Sequence, residues 1–164
     1  MPISNGAWMS ETDFLLRPMV PADAALVAGL LQGQPAEYLR FFHAFGADEA
    51  AIAGILKRRE KDVYSGLFWR GALVCVFMLR GWDEGYDIPS FGLVVSEDRR
   101  GREVLTVAME AAKLISRLAG ADRMMCKVHP DNVGATRGAL RLGWIAASEE
   151  PGTGNLVYYF DLRS

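Results

Sequence analysis

The sequence lacks the features that mark membrane-spanning, secreted and nucleic-acid-binding proteins. No apolar run among its 164 residues approaches the roughly 18 residues that a membrane-spanning helix needs. The opening stretch MPISNGAWMSETD has neither a basic start nor an apolar centre, so it does not resemble a secretory signal. A net charge of −2 gives no overall attraction to nucleic acid or to an anionic membrane. We therefore expect a cytoplasmic protein that binds neither.

Cysteine and histidine are also scarce. The two cysteines, Cys75 and Cys126, both fall in predicted buried strands, which favours two reduced core thiols over a disulfide or a metal site. The two histidines, His43 and His129, are far apart and do not have the spacing of metal ligands. The sequence therefore predicts no metal site.

The remaining composition is that of one ordinary globular domain. Apolar residues make up 51% of the chain and charged residues 23%, and the length suits a single domain with a useful core. Residues 1–12 read as a loose leader, and residues 13–164 as the domain. Hydrophobic periodicity predicts the element order β-α-α-α-β-β-β-α-β-α-β-β. This order indicates an α/β fold with a mixed central sheet flanked by helices.

The predicted bounds follow from apolar spacing and from Gly and Pro positions. The predicted strands are 13–19, 63–69, 72–80, 91–95, 122–128, 144–150 and 156–162. The predicted helices are 21–33, 35–45, 48–62, 102–120 and 131–143. The helix over 102–120 has the clearest apolar face, and Gly120 is expected to end it. Only Arg70 and Gly71 separate two of the strands, which predicts a hairpin.

The stretch VVSEDRRGREVL, residues 94–105, joins a strand to this helix through a turn with one glycine, Gly101. A helix N-terminus offers unpaired backbone N–H groups and about half a positive charge, which together can bind a phosphate. The nearby charges nearly cancel, so the amides would have to carry the binding. These charged residues are Glu97, Asp98, Glu103, Arg99, Arg100 and Arg102. On this turn alone, charges that merely solvate a helix end are an equally good interpretation.

A second segment, VHPDNVGATRGALRLGWI at 128–145, also follows a predicted strand and opens a helix. Together the two segments resemble the GNAT superfamily of acetyl-CoA-dependent N-acetyltransferases. The first motif of that family is usually V-x-P-x-x-R-G-x-G-x-G/A, and the second is usually N-x-x-A-x-x-x-Y-x-x-x-G-F. The element order over residues 13–162 matches as well. The resemblance implies a GNAT-like single domain, with acetyl-CoA as co-substrate.

The resemblance also implies a cofactor site, carried over position by position. The strand positions match the segment that pairs with the pantetheine arm, and the Arg/Gly positions match the pyrophosphate turn. The implied cofactor-binding residues are Leu93, Val94, Val95, Arg99, Arg100, Gly101, Arg102, Glu103, Val104, Asn132 and Ala135. Glu103 and Leu105 stand where the family has small residues. Ala139 stands where the family often has a tyrosine that protonates the departing thiolate.

Transfer of an acetyl group to an amine still needs a polarised carbonyl and a neutral amine. A backbone N–H at Val94 or Val95 could polarise the thioester carbonyl. A primary amine has a pKa near 10, so a base is needed, whereas a thiol pKa near 8.5 makes thiolate a tolerable leaving group. The stretch GWDEGYDIPS supplies the base candidates, Glu84 and Asp87, which we predict to be catalytic. A merely solvated acidic loop is the alternative.

Two functions therefore remain open at this point. The first is an N-acetyltransferase for a primary amine of a small molecule, with an amino sugar or sugar nucleotide as one option. The alternative is a catalytically degenerate acyl-CoA-binding domain that regulates a partner, which Glu103, Leu105 and Ala139 favour. The resemblance also raises a homodimer as an expectation. Tyr38 and Phe41 are read as core packing in preference to contacts with the acceptor.

Overall fold

The computed structural model describes residues 13–100 and 102–163. Its strands are β1 (Phe14–Pro18), β2 (Val63–Trp69), β3 (Ala72–Arg80), β4 (Ser90–Val95), β5 (Arg123–Val128), β6 (Ile145–Glu149) and β7 (Leu156–Asp161). Its α-helices are α1 (Ala24–Gln32), α2 (Ala36–Leu39), α3 (Glu49–Arg58), α4 (Arg102–Leu118) and α5 (Val133–Arg141). Short 3₁₀ turns cover Pro21–Asp23 and Glu97–Arg99. The predicted element order is confirmed.

Two predicted helices are shorter than expected. The helix predicted over 35–45 is only the four-residue α2, and the helix predicted over 48–62 ends at Arg58. The start of α3 follows the capping rule, because the Asp48 side chain accepts from the Ala51 amide at 2.7 Å. Its early end has a tertiary cause. The amides of residues 60–62 donate to the Asp83 carboxylate across the chain, so they do not extend the helical ladder.

The seven strands form one mixed sheet in the order β1-β2-β3-β4-β5-β7-β6. Every neighbouring pair is antiparallel except β4 and β5, which are parallel and are joined through α4. The β2–β3 hairpin turns at Arg70 and Gly71, whose φ angles of 50° and 81° are those of the favoured two-residue turn. The predicted mixed α/β sheet and hairpin are therefore confirmed.

Helices cover the sheet on both faces, and alternate residues of β4 mark the two faces. Phe91 and Val95 belong to the apolar core that includes residues of α4 and α5, whereas Val94 belongs to the core that includes residues of α1 and α3. Both cysteines are buried and free, as expected, and burial raises the pKa of each thiol to about 12. The strand β4 is thus held from both sides, so its backbone is rigidly placed.

Candidate active site

The two parallel strands β4 and β5 separate soon after they meet. Their pairing is confined to Ser90 opposite Met125, where the Met125 amide donates to the Pro89 carbonyl at 2.9 Å. Beyond this point β4 continues to Val95 and β5 to Val128 without further pairing. The strands therefore border an opening, called here the β4–β5 gap, that exposes one backbone edge of β4.

The register of β3 and β4 decides which amides face the β4–β5 gap. The Ser96 amide donates to the Val74 carbonyl on β3 at 2.8 Å, and in an antiparallel pair successive amides alternate in direction. The Val94 amide therefore points to β3, and the amides of Leu93 and Val95 point to the gap. The sequence predicts that the amide of Val94 or Val95 polarises the carbonyl. This geometry is compatible with Val95 but not with Val94, and it makes Leu93 a second candidate.

A tyrosine from α2 reaches the gap edge of β4. The Val95 amide donates to the Tyr38 hydroxyl at 3.1 Å, across 57 residues of sequence. The Arg100 guanidinium lies over the Tyr38 ring, 3.6 Å from its centre, and donates to the Gln34 side-chain oxygen. Gln34 is itself 9% exposed and donates to the Leu30 carbonyl at 2.9 Å. We call Gln34, Tyr38, Val95 and Arg100 the Tyr38 clasp.

The Tyr38 clasp is the part of the site that sequence reasoning missed. Sequence reasoning favours core packing for Tyr38 and assigns no role to Gln34. The two residues meet Val95 and Arg100 only in the tertiary structure. The single sequence signal is that Gln34 is a polar residue two positions after the end of the apolar helix α1.

The segment after α2 continues across to the end of β5. The Phe41 ring lies 5.3 Å from the His129 ring, and the Arg40 guanidinium lies 3.6 Å from the Asp131 carboxylate. Residues 38–41 therefore contact the ends of both strands that border the gap. Any molecule bound between β4 and β5 would lie beside this segment.

The predicted phosphate turn follows Val95 as the sequence indicated. A 3₁₀ turn over Glu97–Arg99 leads to α4, which begins at Arg102; Gly101 and the Arg102 side chain lie outside the described residues. The side chains of the two described arginines lie against different aromatic rings. Arg100 stacks on Tyr38, and Arg99 stacks on Trp69, 3.7 Å from the ring centre. Only Arg100 is thereby placed beside the β4–β5 gap.

The bulky residues at the start of α4 have different surroundings. Glu103 is exposed, and Val104 is buried in the core beneath the helix. A methyl group placed on Gly138 would lie 3.6 Å from Leu105 Cδ2, so Leu105 packs on α5. A side chain at position 138 would thus be in ordinary van der Waals contact with this leucine. Anion binding by the first-turn amides of α4 stays a prediction.

The second motif forms a helix cap. The Asn132 side chain accepts from the Ala135 amide at 3.2 Å, so Asn132, of the two predicted cap residues, is the one that opens α5. Ala139 is buried against the core. That Asn132 and Ala135 contact a cofactor stays a prediction. Their hydrogen bond to each other caps α5.

The acidic loop lies at the opposite end of β4. Glu84 and Asp87 are exposed and precede Ser90, whereas the Tyr38 clasp is at Val95, about 17–20 Å of strand away. Asp83 is used structurally. Burial acts to raise the pKa of its carboxyl, but the three amides of residues 60–62 outweigh this and hold the pKa below its usual value. The structure does not bring Glu84 or Asp87 to the clasp.

Two features are absent from the described residues. Within residues 13–100 and 102–163, no group of three or more His, Cys, Asp or Glu side chains is arranged to hold a metal ion. In the same part of the chain, no helix is both long and apolar enough to cross a membrane.

The sequence matches no family model and no curated protein. Solved structures nevertheless share its fold. The GNAT domain of PAT from S. lividans has a TM-score of 0.76 and 16% identity, with 89% of each chain covered. A ribosomal-protein-S5-alanine acetyltransferase from Vibrio fischeri has a TM-score of 0.74 and 10% identity, over 93% of this chain and 94% of that one. A protein of Salmonella typhimurium solved with its cofactor acetyl-CoA has a TM-score of 0.72 and 13% identity, over 93% and 95%. The chain therefore has the fold of the GNAT acetyltransferases.

Proposed function

We propose that this protein is an N-acetyltransferase that moves an acetyl group from acetyl-CoA to a primary amine of a small molecule. The observation that carries the proposal is the β4–β5 gap, with the Leu93 and Val95 amides directed into it and the start of α4 following β4. A protein of the same fold has been solved with acetyl-CoA, which supports the choice of co-substrate.

The residues around the gap fit acetyl-CoA. The free backbone edge of β4 can pair with the amides of an extended pantetheine arm, as an added strand would. The first turn of α4 can hold the pyrophosphate, because Leu105 packs on α5 and Glu103 is exposed. Acetyl-CoA supplies an activated acyl thioester. The polypeptide then supplies orientation, carbonyl polarisation and proton transfer.

Carbonyl polarisation falls to one of the two gap-facing amides, Leu93 or Val95. A fixed backbone N–H aimed at a developing oxyanion costs no reorganisation during the reaction. For the amine we propose Glu84 and Asp87, as carboxylates that attract the ammonium ion and receive its proton. Because they lie at the other end of β4, the proton would reach them through water.

One solved structure suggests a specific alternative to the small-molecule acceptor. One structure of this fold is named a ribosomal-protein-alanine acetyltransferase, so a protein N-terminus is the alternative amine. We favour a small cationic amine, with an amino sugar as one candidate, because the loop that holds Glu84 and Asp87 also carries the aromatic residues Trp82 and Tyr86. Aromatic faces and carboxylates together suit such a ligand.

A catalytically inactive acyl-CoA-binding domain is the second candidate function. Ala139, which cannot donate a proton, is the observation that favours it. Both candidates predict that acetyl-CoA binds, and only the enzyme predicts turnover.

The test is a titration of acetyl-CoA followed by a thiol-release assay on a panel of amines. The panel should contain amino sugars, polyamines, amino-acid amides and short peptides with a free N-terminus. Binding with release on a small amine supports the proposal, and release on peptides alone would replace its acceptor. Binding without release on any amine favours the inactive domain, and no binding removes both. Cell fractionation and light scattering would test the proposed cytoplasmic location and homodimer.

A further inference from the structure

We propose that the Tyr38 hydroxyl is the general acid that protonates the departing thiolate of coenzyme A. The proposal rests on the acetyltransferase function above and assigns to α2 a role that the resemblance would place at position 139. It concerns a side chain for which sequence reasoning favoured ordinary packing.

The first argument is placement. The Tyr38 hydroxyl lies 3.1 Å from the Val95 amide, on the edge of β4 that faces the β4–β5 gap. Val95 is one of the two amides available to the thioester carbonyl or to the arm next to it. A thioester whose carbonyl or adjacent arm is held by Val95 would have its sulfur near this hydroxyl, about as far as one hydrogen bond reaches.

The second argument is the direction of the hydrogen bond. The Val95 N–H donates, so the Tyr38 oxygen accepts and its own proton remains available to another acceptor. A hydroxyl that accepts a hydrogen bond is polarised toward donating one. The contact thus prepares the phenol for proton donation.

The third argument is that the ring is held in place. The Arg100 guanidinium stacks on it at 3.6 Å, and Gln34 receives a hydrogen bond from the same guanidinium. Gln34 is anchored in turn to the Leu30 carbonyl of α1. A catalytic group needs such support from its neighbours to keep its geometry.

Other proton donors near the gap are less suitable. Ala139 has no proton to give. Cys126 is a buried thiol packed with the core beneath the sheet. The His129 Nδ1 accepts from the Asp131 amide, which leaves the ring proton on Nε2, but the ring lies against Phe41 just after β5 and, within the described residues, makes no hydrogen bond to the β4 edge. Tyr38 combines an available proton with a position on the β4 edge.

In the proposed step the amine nitrogen bonds to the acetyl carbon, and the carbon–sulfur bond breaks. The electron pair of that bond leaves with the sulfur, which takes the phenolic proton of Tyr38. The amine loses one proton to a carboxylate or to water, and solvent returns one proton to the phenolate. The products are the N-acetylated amine and free coenzyme A, so atoms and charge balance.

The geometry adds a second consequence. One Val95 N–H cannot fully serve both the Tyr38 oxygen and a group of the cofactor, so the hydroxyl and the cofactor compete for this donor. Removal of the hydroxyl should therefore slow the chemistry and slightly strengthen cofactor binding. If the role of Tyr38 were purely structural, removal of its hydroxyl would lower both the rate and the affinity for the cofactor.

The experiment compares Tyr38→Phe with the wild-type protein. We expect kcat to fall about 100-fold, while the affinity for acetyl-CoA stays unchanged or rises about threefold. With acetyl thioesters of more acidic thiols, the difference in kcat between the wild type and Tyr38→Phe should be smaller, because a better leaving group needs less protonation. Tyr159→Phe is the matched control, since Tyr159 lies on β7 with the Arg123 guanidinium 4.3 Å from its ring centre and has no part in the proposed site.

A second measurement separates chemistry from folding. Site-specific replacement of Tyr38 by a fluorotyrosine, which keeps the ring and makes the phenol more acidic, should shift the alkaline limb of the kcat profile to lower pH. An unchanged kcat in Tyr38→Phe, an unchanged profile, or a variant that loses only cofactor affinity would overturn the inference. A wild-type protein that binds acetyl-CoA and acetylates no amine would instead defeat the proposed function, and the inference with it.

Discussion

The two ends of β4 carry similar clusters of polar residues but use them differently. At the N-terminal end, Asp83 accepts from the amides of residues 60–62, while Asp62 accepts from the amides of Gly81 and Asp83. At the C-terminal end, Tyr38 accepts from Val95 and lies under Arg100. The first cluster satisfies loop backbone, and the second lies at the edge of an open gap.

The difference shows why polarity alone is a weak guide to a site. A carboxylate surrounded by backbone amides is already committed to holding the loop, so it has little freedom to take part in a reaction. The Tyr38 hydroxyl accepts one hydrogen bond and still has a proton to give. What separates the two ends is therefore the unused hydrogen-bonding capacity, which only the structure reveals.

The largest effect should come from removing the amides that face the gap. Leu93→Pro and Val95→Pro each delete an N–H that does not pair with β3, so the strand should tolerate the change. The variant that loses the carbonyl donor should show kcat lowered about 10² to 10³-fold. Steady-state kinetics and acetyl-CoA titration would show which amide holds the carbonyl and which holds the arm.

Val94→Pro is the control for this pair, because it removes an amide directed at β3. It should lower the melting temperature markedly, whereas the other two should not. If both gap-facing variants bind and turn over as the wild type does, the assignment of the β4 edge is wrong.

The next effect concerns the carboxylates at the opposite end of β4. A Glu84→Gln and Asp87→Asn double variant should lower kcat/KM for a cationic amine about 10-fold, since it removes the groups proposed to attract the amine and take its proton. Kinetics at varied amine concentration would separate the two roles: a fall in kcat reports proton transfer, and a rise in KM reports attraction. Kinetics identical to the wild type would mean that the loop is only a solvated surface.

A smaller effect should distinguish the two arginines of the turn. Arg100→Ala should weaken acetyl-CoA binding about fivefold, because its guanidinium lies beside the gap and can reach a phosphate. Arg99→Ala should change the affinity little, since its guanidinium lies over Trp69 at the end of β2, two strands away from β4. Calorimetric titration at low and moderate salt would measure both. Equal losses of acetyl-CoA affinity in the two variants would contradict the assignment of Arg100, and not Arg99, to the gap.

The smallest effect on activity belongs to Asp83. Asp83→Ala should lower the free energy of unfolding by about 1 kcal/mol, because three loop amides lose their acceptor, and should leave kcat unchanged. The pKa of Asp83 is lowered in the folded protein, so its contribution is present above the unfolded pKa and is lost as pH falls through the folded value. Urea unfolding at pH 7 and pH 3 should show a smaller deficit of the variant at pH 3 than at pH 7.

Most of the fold could be predicted because its elements are set by local pattern. The apolar spacing of α4 and the two-residue hairpin at Arg70 and Gly71 depend on neighbours within a few residues. The end of α3 could not be predicted, since the amides that stop it are held by Asp83, more than 20 residues later. Of the candidate site, the turn before α4 and Val95 follow from a motif, and their contact with a cofactor stays a prediction. Tyr38 could not be predicted, because its partner is 57 residues away.

The sequence by itself determined the order of strands and helices, the buried cysteines and the turn that leads into α4, because periodicity and turn chemistry act over short distances. Only the tertiary structure decided which amides of β4 are free, that Leu105 packs against Gly138, and that Tyr38 stands at Val95. These depend on strand register and on contacts between distant segments, which arise when the apolar faces pack and not before.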